Sequence, residues 1–351
     1  MNAGEPERFG AVCPICAGPG EPRSSLDLAE RFGQEGPGVR FGALRCRAEA
    51  CQAEYPIIDG IPVVRADVRD WLAGTQASVH RRTDLPVGLE RMLADTFDPG
   101  SREDLDRYYL SVYARDAYPE DGATPGVVRL LDGALGLVPG GIDPGEPVLD
   151  LGCAVGRVCF ELAQRGHERV AGLDANPALL RCAAGVRDRG IAEYVLKRGG
   201  VLYEPKRVAC EPVHRERVSL WCADALDPPF AEGTFGCVLA LNVLDCVASP
   251  MRLLERAGGL LRPGGRLVLT SPYDWSTSAT PLEAWVGGHS PRSQHAGDSA
   301  SVLRSLLNAG SGGVGGLRLV AERDGLEWAT RLHDRAELRY SVHALIAERV
   351  Q

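Results

Sequence analysis

A positive surplus is missing. The chain carries 39 Lys+Arg against 47 Asp+Glu, a formal net charge of −8 over 351 residues. This argues against a non-specific nucleic-acid binder, which needs a basic surface. Lysine is almost absent: Lys197 and Lys206 are the only two, and arginine supplies the rest, a composition bias without functional content. Also missing is any run approaching the ~20 apolar residues of a membrane helix; the most apolar window, Phe235 to Ala248, is broken by Asn242 and Asp245. The opening MNAGEPERFG has neither the basic start nor the apolar core of a secretory signal. These absences lead us to expect a cytoplasmic chain with no membrane or nucleic-acid partner. Aromatics make up only 6%, yet 44% hydrophobic and 25% charged residues is ordinary globular composition and excludes wholesale disorder. The length suggests roughly two domains.

What is plentiful is cysteine. Eleven of them, an odd number scattered over a long chain, do not form a disulfide framework. Cys13 and Cys16 make a Cys-x-x-Cys knuckle, and Cys46 and Cys51 a wider second pair. Two such pairs can complete a tetrahedral four-sulfur zinc site, structural because no coordination position stays open. A Gly/Pro-rich segment this short has little core of its own and would gain from a metal staple. Tyr55 to Val64, YPIIDGIPVV, reads as strand, Asp-Gly turn and second strand. Residues 11 to 64 as a block resemble the small zinc-ribbon proteins that activate RNA and release-factor methyltransferases. They share the Cys-Pro-x-Cys start, the second cysteine pair and the Tyr-Pro-Ile-x-Asp-Gly-Ile-Pro stretch. That resemblance implies zinc on Cys13, Cys16, Cys46 and Cys51, and a protein partner docking through this segment.

Further along, Trp71 to Ala77, Leu89 to Thr96, Asp104 to Ala117 and Gly126 to Leu137 read as helices, with Leu105, Tyr109 and Val112 at helical spacing. Pro139-Gly140-Gly141 and Pro144-Gly145 then break the chain. The next run, PVLDLGCAVGR over 147–157, is a short apolar strand ending at Asp150. A small-residue turn with Gly152, Ala154 and Gly156 follows, then a helix start. Glycine lets the backbone approach a ligand, and the helix start supplies free N–H groups. By itself this could be a dinucleotide site. A second strand ends at Asp174, 24 residues after Asp150, near the ~20 typical of a ribose-binding acid. Strands at 218–222 and 235–241 follow, the first leading into Asp224-Ala225; Leu-Arg-Pro-Gly-Gly at 261–265 precedes a fifth strand.

The series resembles the class I S-adenosylmethionine-dependent methyltransferases. The resemblance implies an α/β, Rossmann-like seven-stranded sheet with its seventh strand antiparallel, beside the small zinc-ribbon-like segment. It implies that Asp150 and the turn of Gly152, Ala154, Gly156 and Arg157 meet the methionine part of the cofactor. Asp174 and Ala175 would meet the ribose, and Asp224 and Ala225 the adenine. The expected division is 1–66 zinc-ribbon-like, 67–145 a helical connector with the helices leading into the catalytic domain, and 146–351 the methyltransferase domain.

The acceptor side lies after the fourth strand. Asn242 and Asp245 sit past a strand's carboxyl end, where open α/β sheets bind ligands. Ser271-Pro272-Tyr273-Asp274-Trp275 and Thr280-Pro281 through Trp285 and Gly287-Gly288 put aromatics over the same end, and 194–203 reads as a hairpin insertion. Over residues 105 to 345 this combination resembles the C-terminal methyltransferase domain of the ovothiol-biosynthesis enzyme, which methylates an imidazole nitrogen of 5-thiohistidine; Cys246 stands where that family usually has arginine. The resemblance implies a small histidine derivative, thiol- or selenol-substituted, as acceptor. Asp245 would hold the imidazole N–H so that the other nitrogen attacks, and Asn242 would orient acceptor or cofactor. Tyr273, Trp275 and Trp285 would form an aromatic wall suited to a flat ring and a cationic methyl donor, and Tyr109, on the entry helix of the domain, would join the acceptor-site residues. Protein histidine or an RNA base is the alternative acceptor, and a partner-binding activator the reading from a different class.

Overall fold

The computed structural model describes residues 4–16, 23–31, 38–68, 70–71, 100–211, 214–308 and 313–350. The expected helices at Trp71 to Ala77 and Leu89 to Thr96 fall almost wholly outside them.

The sheet that positions the site has the order β12-β13-β11-β10-β5-β6-β9. Its strands are β5 (Val148–Leu151), β6 (Val170–Asp174), β9 (Val218–Cys222), β10 (Phe235–Leu241), β11 (Leu261–Ser271), β12 (Leu317–His333) and β13 (Ala336–Arg349). The first five run parallel. β13 enters antiparallel between β11 and β12, so the expected topology holds. Every residue of β5 and β9 is buried, as parallel strands covered on both faces require. The covering helices are α2 (Arg102–Ala117), α3 (Gly126–Leu135), α4 (Arg157–Gln164), α5 (Pro177–Arg189), α6 (Pro250–Leu260) and α7 (Ser299–Leu307). Local chemistry starts several of them. Asn176, Ser249 and Asp298 accept backbone N–H groups as N-caps, with Pro at the first turn of α5 and α6. The first turn of α3 is held from a distance, since Asp116 accepts the N–H groups of Gly126 and Val127.

The hairpin insertion is longer than the sequence suggested. β7 (Ile191–Gly199) and β8 (Leu202–Ala209) form their own two-stranded sheet and pack on α2. This turns part of the expected face of α2 outward, while Val112 stays buried. Leu105 and Tyr109 point outward, 43% and 42% exposed, while Arg107, Ser111 and Ala114 are buried. Ser111 accepts the Lys197 N–H at 2.8 Å and the Arg107 guanidinium lies over the Tyr203 ring at 4.2 Å, so both side chains meet the hairpin.

The first segment also holds more structure than its loop-like composition suggested. After α1 (Glu5–Arg8), a four-stranded sheet runs β1 (Leu26–Arg31), β2 (Gly42–Cys46), β3 (Glu54–Ile58), β4 (Ile61–Pro62). The last two join through the expected Asp-Gly turn, with Asp59 and Gly60 both at positive φ. The segment is joined to the main sheet. The Val64 N–H donates to the Cys222 carbonyl at 2.8 Å, a parallel bridge that extends the β9 edge. The Val12 N–H donates to the Pro229 carbonyl, Asp59 pairs with Arg181, and Phe9 meets Phe230. Buried residues of both parts form one continuous apolar core. Among the described residues no helix is long and apolar enough to cross a membrane.

Candidate active site

The carboxyl ends of β5, β6, β9, β10 and β11 meet along one rim. At its centre is the turn between β5 and α4. Gly152 and Gly156 adopt φ of +76° and +79°, and Ala154 between them +47°. A side chain on Gly152 would start 2.6 Å from Val243 Cγ2, so both conformation and space demand glycine there. Gly156 caps α4 without any side-chain hydrogen bond, which leaves the helix's first N–H groups for a ligand. The turn is fixed from outside: the buried Tyr118 hydroxyl donates to the Val155 carbonyl at 2.6 Å. Tyr118→Phe therefore strands a buried carbonyl, and we expect it to lower stability by about 1–3 kcal/mol, read as a reduced denaturant midpoint with an unchanged slope.

Asp174 Oδ2 accepts the Ala154 N–H at 2.9 Å and Oδ1 accepts the Asn176 N–H at 2.8 Å. Each oxygen keeps a lone pair for a hydroxyl. Burial holds its carboxyl above the usual carboxylate range despite these bonds. Asp174 and Cys222 are register partners, so Ala175 and Asp224, the next steps of the two chains, stand on the same rim. The Asp224 side chain accepts the Leu226 N–H and shapes its own turn, with Ala225 buried behind. Asp150 is deeper, 2% exposed; its partner is the Cys159 thiol at 3.5 Å. Burial, with the Asp174 charge adding to it, pushes its carboxyl up to about 7. Arg157 runs back along α4 to Glu161 at 3.0 Å.

The acceptor side is built differently from its sequence reading. Asn242 sits at φ +54°, its Oδ1 accepting the Thr270 hydroxyl at 2.8 Å and its N–H donating to the Thr270 carbonyl at 2.9 Å. This fixes the end of β10 against β11. Asp245 is only 3% exposed. Its Oδ1 accepts from Ser271 Oγ at 3.1 Å and its Oδ2 from the Asp274 N–H at 2.8 Å, so the carboxylate faces the loop after β11. Burial raises its carboxyl. Tyr273, at φ +56°, places its hydroxyl on His343 Nδ1 at 2.8 Å. Trp285 donates to the Thr280 carbonyl and Trp275 to Ser299 Oγ, and the two indoles stack at 6.1 Å and 19°. Tyr109 is exposed and stacks on Tyr113 at 6.2 Å and 21°.

Two further aromatics touch these residues, Tyr113 stacking on Tyr109 and Tyr340 bonding Asp274, and neither is among the site residues expected from the sequence. Tyr113 lies within electrostatic reach of Asp174, Cys246 and Tyr340. Tyr340 stacks on its cross-strand partner Trp328 at 5.3 Å and 19°, and its hydroxyl donates to Asp274 Oδ2 at 3.1 Å. Tyr113 had a local signal, one helical turn after Tyr109. Tyr340 had none, because the register of β12 and β13 brings it there.

In the first segment, the sulfurs of Cys13, Cys16, Cys46 and Cys51 all lie within 4.8 Å of one another. Cys13–Cys51 is 3.8 Å and Cys16–Cys46 3.6 Å. A tetrahedron with Zn–S of ~2.3 Å has an edge of about 3.8 Å, so the donor set fits. The fully buried Tyr55 hydroxyl sits 3.0 Å from Cys13 Sγ, an outer partner of the kind that orients metal ligands.

Comparison with known proteins agrees with this topology. Residues 149–269 match the family model described as a methyltransferase domain. The sheet region has the α/β Rossmann-like methyltransferase fold, and the matched residues fall on it. The chain is 26% identical over 153 residues to norajmaline N-methyltransferase of Rauvolfia serpentina, covering 43% of this chain and 45% of that protein. It is 28% identical over 214 residues to nocamycin O-methyltransferase of Saccharothrix syringae, covering 58% and 67%. Among solved structures it is similar to the [4+2]-cyclase SpnF at TM-score 0.45 and 16% identity, covering 73% of this chain and 97% of that one. It is also similar to the magnesium protoporphyrin IX methyltransferase of Synechocystis PCC 6803, at TM-score 0.36 and 18% identity, covering 75% and 91%. The chain thus spans less than half the length of the norajmaline enzyme.

Proposed function

We propose that this protein transfers a methyl group from S-adenosylmethionine to a ring nitrogen of a small imidazole, a thiol- or selenol-substituted histidine. The observation that supports the transfer is the β5–α4 turn, with uncapped N–H groups beside an Asp174 that keeps free lone pairs. Aromatic surface beside carboxylates, over the carboxyl ends of the strands, supports a flat nitrogen ring as acceptor. In this reading the turn of Gly152, Ala154, Gly156 and Arg157 holds the methionine part, Asp150 supports it from below, Asp174 and Ala175 take the ribose, and Asp224 and Ala225 flank the adenine. Bound S-adenosylmethionine supplies an electrophilic methyl on a sulfonium. The protein's task is to hold a nucleophilic lone pair in line with it, so positioning carries most of the catalysis. Asn242 and Asp245 serve that task by fixing the strand ends and the loop after β11. Tyr273, Trp275 and Trp285 keep that loop in place, and Tyr109 backs Tyr113. Zinc on the four cysteines holds the first segment together, and the same segment is the surface for a protein partner. The chain divides as 1–66, 67–145 and 146–351.

The test is methyl transfer itself. With S-adenosylmethionine, 5-thiohistidine should gain one methyl on a ring nitrogen faster than histidine does, seen by mass spectrometry and proton NMR. Asp245→Asn should lower turnover about tenfold or more, because its amide places a donor against a donor in the loop, while S-adenosylhomocysteine binding changes little. Transfer to neither azole defeats the acceptor assignment, and full activity in Asp245→Asn defeats the role given to that loop.

A further inference from the structure

The sequence reading gave the acceptor's N–H to Asp245, but the structure engages both oxygens of that buried carboxylate in the loop that follows β11. The next acid is placed otherwise. Asp274 is exposed, and its backbone N–H is what Asp245 Oδ2 holds. The preceding Tyr273 is an aromatic residue at φ +56°, a conformation that costs energy outside glycine and persists where the surroundings impose it. Here they do. Ser271 Oγ accepts the Tyr273 N–H at 3.0 Å, and the Tyr273 hydroxyl is bound to His343 Nδ1. His343 Nε2 meets Glu322 Oε2 at 3.1 Å, and Glu322 is in turn gripped by Arg304 Nε at 2.7 Å and 2.9 Å. The Tyr273 ring is thereby held toward α7 and β12, and the loop turns at a fixed point just before Asp274.

The Asp274 carboxylate is itself held, by the Tyr340 hydroxyl on Oδ2 at 3.1 Å, and Tyr340 is braced by Trp328.

We propose that Asp274, held by Tyr340, is the residue that receives the acceptor's ring N–H, and so selects azoles that carry an N–H opposite a nucleophilic ring nitrogen over acceptors that lack one. This rests on the methyltransferase reading above and sharpens its acceptor. With one N–H of a neutral imidazole donated to Asp274, the opposite nitrogen keeps its lone pair. That pair forms the N–CH3 bond as the C–S bond breaks and sulfur keeps the bonding electrons. The methylimidazolium then gives its N–H proton through Asp274 to solvent. The ring of Tyr340, whose hydroxyl holds Asp274, suits the cation that forms.

The experiment uses the full chain saturated with S-adenosylhomocysteine and titrated at neutral pH with imidazole, followed by NMR. Asp274→Asn should weaken imidazole binding about tenfold, a charge-assisted hydrogen bond being replaced by a neutral one. Tyr340→Phe, which keeps the ring and frees the carboxylate, should weaken it about threefold. Both variants should bind S-adenosylhomocysteine as the unmodified protein does. No difference between the unmodified protein and Asp274→Asn overturns the proposal, whether both bind imidazole or neither does. So does loss of S-adenosylhomocysteine binding in Asp274→Asn, which would place that residue at the cofactor. Methyl transfer to 5-thiohistidine is scored separately: its absence, with imidazole binding still dependent on Asp274, removes the histidine-derivative acceptor and leaves Asp274 in place.

Discussion

Asp174→Ala should weaken S-adenosylhomocysteine binding about a hundredfold. Two ribose hydroxyls donating to a carboxylate are worth about 1.5 kcal/mol each at the low end for charged acceptors, and ~2.7 kcal/mol is two decades in affinity. The substitution has a second effect, because Asp174 also accepts the Ala154 N–H and so shapes the turn that would hold the methionine part. Asp174→Asn separates the two. Its amide oxygen can replace one bond but not both, so binding should fall between the unmodified protein and Asp174→Ala. Calorimetry gives both numbers. Equal affinity in all three proteins is the outcome that removes Asp174 from the cofactor site.

The second large effect is expected from Cys16→Ser. Metal analysis of the unmodified protein should give about one zinc per chain, and the variant close to none, since three thiolates and a hydroxyl make a far weaker site than four thiolates. Because metal binding and folding share one free energy, the variant should also unfold at a lower temperature. The loss should reach beyond the first segment: Val64 extends the β9 edge and Phe9 packs on Phe230, itself against Trp221 at 5.2 Å. Tryptophan fluorescence should therefore report the same transition as the metal. A variant free of zinc yet as stable as the parent would show that the four sulfurs have no structural role.

How far the sequence was legible follows from how local each cause is. The run 147–157 could be read because a strand, a small-residue turn and a helix start are set by adjacent residues, and each parallel strand brought its own acid or turn. The Asp-Gly turn at 59–60 and the cysteine pairs were legible for the same reason. β1 and β2 were not, since runs of six and five residues are too short for their alternation to stand out. The inner face of α2 was legible only at Val112, because the burial of the rest is set by the β7–β8 hairpin nearly ninety positions away, with Ser111 and Arg107 finding partners there. Asp245 and Asp274 were hardest. They lie 29 positions apart, and which carboxylate faces inward is decided by Ser271, by the Asp274 N–H and by Tyr340 on a strand still further along.

The place of β13 bears on the order of events during synthesis. It is antiparallel to both neighbours and lies between β11 and β12, yet it follows every other strand. While a ribosome is still making residues 336–349, β11 and β12 both present unpaired edges, and sheet edges of this kind template association with other chains. Tyr340 and His343 arrive with that same strand, so the wall beside Asp274 and the support behind Tyr273 come into being at the moment the sheet closes. Until then the β5–α4 turn lacks the wall beside Asp274, so that wall and protection from aggregation are acquired in one step.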